Sequence, residues 1–72
     1  MSRIVGIGRA QLLAGYALAG VDVLDAPDPA AVQRCWAGLD DSVGLVLLTE
    51  DARRALPDPL ESPSVLWIAL PG

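Results

Sequence analysis

Two stretches of this 72-residue sequence set reactive or ligand-binding residue types at spacings that chemistry can use. The first is "GIGRAQ", in which Gly6 and Gly8 end a short apolar run and Asp25 stands at the end of the next such run. Glycines at a strand-to-helix turn let a pyrophosphate approach the backbone, and an acid closing the second strand binds a ribose hydroxyl. The third glycine of that fingerprint is replaced by Gln11, so the simpler reading is a tight turn. The second stretch is "TED", Thr49 to Asp51, directly after the third apolar run. Acids there suit a receiver-type phosphoacceptor, whose chemistry also needs a lysine and acids after the first strand. The chain has no lysine and carries Arg9 at that place. "TED" equally suits a helix start, with Thr49 as the cap and Glu50 and Asp51 in the first turn, where the helix dipole favours negative charge.

Other chemistries are poorly supplied. Cys35 is the single cysteine and histidine is absent. A disulfide within the chain is therefore excluded, and a zinc site would have to be built from carboxylates alone. We expect no metal, no cofactor and no catalytic residue. A net charge of −4 and arginines scattered at positions 3, 9, 34, 53 and 54 argue against nucleic acid, whose phosphates need clustered cations. Hydrophobic residues make up 53% of the chain, yet the longest runs, "VGLVLL" and "VLWIAL", fall well short of the roughly 20 residues that span a bilayer. With no cleavable leader and no cysteine framework legible, the cytoplasm is the expected compartment.

The elements that must position these residues alternate. "RIVGIG" reads as a strand that turns at its glycine, and Ala10 to Ala19 as a helix stopped by Gly20, a residue suited to the left-handed cap. "VDVLDA" is a second strand. Asp28 caps the next helix, with Pro29 at its first position, where a missing N–H costs nothing. In that helix Val32, Cys35, Trp36 and Leu39 make one apolar stripe, which makes Trp36 packing and Cys35 a small buried hydrophobe. "VGLVLL" is a third strand without polar alternation, "EDARRAL" a short helix, and Pro57, Pro59 and Pro63 punctuate a loop. "SVLWIAL" is the fourth strand, closed by Pro71 and Gly72.

A single α/β domain over residues 1–72 follows, built on a four-stranded parallel sheet of flavodoxin-like or receiver-like order 2-1-3-4 with helices on both faces. In "GYALAG" the small residues Gly15, Ala14, Ala17 and Ala19 let the first helix sit close against the central strands or a partner. No helix follows the last strand to share the first helix's face. Along that strand Val65, Trp67 and Ala69 point one way and Leu66, Ile68 and Leu70 the other. Both faces are apolar, so half of one face is expected to need cover from outside the domain.

The succession "IVGIG", "GYALAG", "VDVLDAPDP", "VGLVLLTEDARRALP" and "VLWIALPG" resembles the F subunit of V-type, archaeal or vacuolar, rotary ATP synthases over nearly the whole chain. The resemblance implies a four-stranded domain shaped like a receiver, placed on the central stalk against the D subunit, serving ATP synthesis and proton transport without catalysis of its own. It implies a location peripheral to the membrane through the ATPase complex. Family members usually have an acid where this chain has Arg9, an arginine where it has Ala17 and an acid where it has Ala69. They also continue into a C-terminal stalk helix, to which nothing here corresponds, so the chain reads as either a shortened relative or a truncated piece of one. Partner contacts are expected at Arg9, Tyr16, Thr49, Glu50, Asp51, Trp67 and Pro71. Trp67 either fills the core under a helix or anchors an interface. The alternatives are a free-standing relative that pairs with itself through the uncovered face, and a nucleotide-binding or receiver-like module.

Overall fold

Alternation of apolar runs with capped helical segments leads to the architecture expected from it. A computed structural model describes residues 3–56 and 65–70. The elements are β1 (Arg3–Gly8), α1 (Ala10–Ala17), β2 (Asp22–Asp25), α2 (Pro29–Ala37), β3 (Val43–Leu48), α3 (Glu50–Arg54) and β4 (Leu66–Ala69). All strand pairs are parallel and the sheet order is β2-β1-β3-β4. The proline-punctuated loop at positions 57, 59 and 63 and the closing Pro71-Gly72 lie outside the described residues.

Register sorts the side chains into rows. Val5, Val46 and Trp67 align across β1, β3 and β4, as do Ile7, Leu48 and Ala69, and these two rows share one face. There Val5, Ile7, Val46 and Leu48 are sealed by Ala31 and Val32 of α2 and by Ala52 and Leu56 in and after α3. The α2 stripe faces the sheet as its spacing predicts, with Cys35, Trp36 and Leu39 packed against this cluster. Each large side chain buried here contributes about 1.5–3 kcal/mol.

The other face is built differently. Its rows are Ile4, Leu45 and Leu66, then Gly6, Leu47 and Ile68. Helix α1 packs on β1 and β2 chiefly through Leu13, which is fully buried over Gly6. A Cβ at Gly6 would meet both Leu13 methyls and Val21 at 3.4 Å. The glycine that admits the helix is therefore on the strand. Gly15, expected to bring α1 close to the central strands or to a partner, has nothing within 4 Å of where its Cβ would stand, so it serves no approach to the strands. The reason is geometric: two residues on from Leu13 is about 200° around the helix, on its outer side.

At the carboxyl ends of the central strands Gly8 has a φ of +151° and no room for a side chain. A Cβ there would lie 2.4 Å from both Cγ2 and Oγ1 of Thr49. The amide of Thr49 donates to the Ile7 carbonyl at 3.2 Å and that of Ala26 to the Gly8 carbonyl at 2.7 Å, so three chain segments are stitched at this point. At the opposite edge Arg3 donates to Ser42 Oγ at 2.8 Å and pairs with Asp22 at 3.1 Å and Asp40 at 3.7 Å. Asp40 accepts from both the hydroxyl and the amide of Ser42. These bonds to Ser42, helped by Arg3, hold its carboxyl below the ordinary carboxylate range.

Substitutions at the two edges have calculable outcomes. Gly8→Ala combines overpacking against Thr49 with an unfavourable backbone region, about 1–3 kcal/mol each, and lowers the thermal midpoint steeply. Gly6→Ala, whose Cβ only touches Leu13, costs distinctly less in the same melting experiment. Because the folded-state pKa of Asp40 is depressed, its contribution is complete above the unfolded value near 3.9 and is lost as pH falls through the folded value. Asp40→Asn therefore loses stability at neutral pH but little at acid pH, and denaturant titrations across that range converge with the parent's as the pH falls through the folded value.

Candidate functional site

In open α/β sheets ligands bind outside the carboxyl ends of the strands, where the chain reverses direction across the sheet. Here that point lies between β1 and β3. An open crevice of about 580 Å³ adjoins it, with Arg9, Asp28, Gln33, Thr49, Asp51 and Arg54 among its lining residues. Its polar groups are largely engaged by the fold itself. Oδ1 of Asp25 accepts from the Ala10 amide at 3.0 Å, capping α1 from across the sheet. Oδ1 of Asp28 accepts from Ala31 at 2.8 Å and Oγ1 of Thr49 from Ala52 at 3.3 Å, capping α2 and α3. The carboxylate that a dinucleotide fingerprint would turn toward a ribose thus sits on the helix N-terminus, where the pyrophosphate would lie. Gln33 donates to the Ala55 carbonyl at 3.1 Å, and Arg54 pairs with Glu50 one turn away.

The structure separates the residues singled out in the sequence into three places. Arg9, Thr49 and Asp51 meet in the crevice, Arg9 and Asp51 exposed and Thr49 buried. Glu50 lies beside them, exposed, in its pair with Arg54. Tyr16 stands on α1 with 39% of its surface in solvent. Trp67 is on the opposite face of the sheet, packed against the core with the Arg53 guanidinium 4.8 Å over its ring. A cation so placed at a partly exposed ring adds about 0.5–1 kcal/mol. Pro71 lies outside the described residues.

The surface with the strongest unmet physical demand is elsewhere. On the α1 side of the sheet Ile4, Leu66 and Ile68 are exposed and Leu45 half-buried, Leu66 to 74% and Ile68 to 51%. Among the described residues no helix lies over β3 and β4 on this side. Beside this floor stands α1, where Leu12 is 55% exposed, and Leu18, directly after the helix, is 92% exposed. From Ala10 to Gly20, along β3, and from Val65 to Leu70 there is no charged residue. Surface apolar residues scattered singly are ordinary, whereas a contiguous set of this kind marks an interaction site. The signal is present in the two-sided apolar alternation of β4 and in a helix without a charged face. Ile4, Leu12, Leu18, Leu66 and Ile68 are nonetheless not among the contacts expected from the sequence, which weigh aromatic and charged side chains above aliphatic ones.

Compared with known proteins, the chain matches no protein-family model and no curated protein. Among the described residues no helix is long and apolar enough to cross a membrane. Nor do the described residues bring three or more Cys, Asp or Glu side chains together where they could hold a metal ion.

The capping role assigned to Asp25 has a direct check. Asp25→Ala leaves the α1 N-terminus without its acceptor and costs about 1 kcal/mol, which in a domain of this size lowers the midpoint by about 4–8 °C. Added NAD leaves the parent's midpoint unmoved; a concentration-dependent rise would return Asp25 to the ribose-binding role.

Proposed function

We propose that this chain is a non-catalytic protein-docking domain of the kind represented by the F subunit of V-type rotary ATPases, cytoplasmic and held on a central stalk by a D-type subunit. The observation that carries the docking reading is the exposure of Ile4, Leu66 and Ile68, with Leu45 half-buried, on the α1 side of the sheet. A domain of this size has little apolar burial to spare, so leaving such a face in water forgoes stabilisation that a partner restores. The resemblance of "GYALAG", "VLLTEDARRAL" and "VLWIALPG" to that stalk protein supplies the class of partner. The 2-1-3-4 sheet is the architecture that this resemblance implies.

The division of the surface suits docking. The β3, β4 and α1 residues on this side carry no charge, while the carboxyl edge of the sheet carries exposed Arg9, Glu50 and Asp51. The helix caps at that edge support the absence of chemistry from the same direction. Their side chains are committed to backbone amides and give the domain rigidity in place of a ligand cradle.

Co-expression with a V-type D subunit tests the reading. The parent chain is expected to co-purify with it. Ile68→Glu, which sets a charge in the centre of the apolar floor, weakens capture by more than about tenfold. Arg34→Glu, exposed on the outside of α2, leaves capture unchanged. No capture by the parent, or equal capture by Ile68→Glu, overturns the assignment.

A further inference from the structure

We propose that, in the absence of another chain, a second copy of this protein covers the apolar half-face, α1 of each protomer lying in the trough over β3 and β4 of the other. The inference rests on the docking reading above and names the occupant. The face is self-complementary in shape: each copy carries one ridge, α1 on β1 and β2, beside one trough, the uncovered floor of β3 and β4. A two-fold axis between ridge and trough puts each ridge into the other's trough, the isologous arrangement that closes with two chains.

Three features that the single chain leaves unexplained are satisfied at once. Gly15 is unfavourable inside a helix and meets nothing in its own protomer, but on the outer side of α1 it lets that helix approach a foreign sheet closely. Leu18, 92% exposed on the same outer side, becomes a knob for the floor formed by Leu66 and Ile68. The absence of charge from α1, β3 and β4 lets two chains of net charge −4 meet here without opposing like charges.

Sedimentation equilibrium of the untagged chain at micromolar concentration decides the matter. The expected mass is twice the 7.5 kDa of one chain. Gly15→Leu fills space that is open in the single protomer, so it keeps the circular dichroism and melting of a folded domain while weakening the dimer by about tenfold or more. Ile68→Glu does the same from the trough side. A monomeric parent, or a dimer that survives both substitutions, overturns the proposal. A monomeric parent that still captures a D-type stalk subunit, with capture lost in Ile68→Glu, overturns self-pairing alone and leaves the docking reading standing.

Discussion

Every strand of a parallel sheet sends side chains to both of its faces, so four apolar strands require helical cover on two sides. Three helices supply that cover unequally here. Two of them, α2 and α3, stand on the same face, where Val5, Ile7, Val46 and Leu48 are sealed almost completely. The third, eight residues long, covers β1 and β2, and on its side Leu66 and Ile68 of β4 are exposed and Leu45 of β3 half-buried. The imbalance is a consequence of topology. With order 2-1-3-4 the first crossover runs to one side of β1 and the later ones to the other, so the two halves of the α1 face cannot both be roofed by one crossover helix.

The carboxyl edge of the sheet shows how the same economy disposes of polar groups. Three helices begin there, each with amides that lack intrahelical partners. In many α/β proteins a bound phosphate satisfies such groups, whereas here Asp25, Asp28 and Thr49 do so from within the chain. Thr49 has a second task, because its side chain fills the space over Gly8 and thereby fixes β1 against β3. Side chains so committed are costly to withdraw toward a ligand, since each would leave an amide unsatisfied. The edge is a structural joint bordered by exposed charges.

Much of this is legible from residue order. Strand and helix identity follow from "RIVGIG", from the Val32, Cys35, Trp36 and Leu39 stripe, and from the Asp28-Pro29 start; parallel pairing follows from strict alternation of the two element types, and 2-1-3-4 is one of the few orders that alternation allows. The role of individual small residues does not. Gly6 and Gly15 are alike in sequence, and only the placement of Leu13 shows that one receives the helix and the other faces outward. Asp25 illustrates the same limit: its position at a strand end fits a ribose ligand and a cap equally, and the 3.0 Å bond to the Ala10 amide requires the register of β2 against β1 to be known. Trp67 differs again, since alternation along β4 gives its side of the sheet, while the Arg53 guanidinium above it comes from a separate element.

The exposed apolar residues are more than tolerated surface, because they are contiguous. Leu12 stands on α1 and Leu18 directly after it, Ile4, Leu66 and Ile68 on the sheet beside it, and α1, β3 and β4 carry no charged residue. A solitary domain gains solubility by setting acidic and basic residues across such a face, and this chain has them in supply: Asp40, Asp41, Glu50, Asp51 and all five arginines lie off it. Among the described residues charge is found at the amino edge, the carboxyl edge and the α2/α3 side, where Arg3 pairs with Asp22 and Asp40, and Arg54 with Glu50. Exposed pairs of this kind stabilise little. Their position matters more than their strength, because confining charge to the rest of the surface leaves one neutral, apolar, helix-bordered face whose burial another polypeptide can complete.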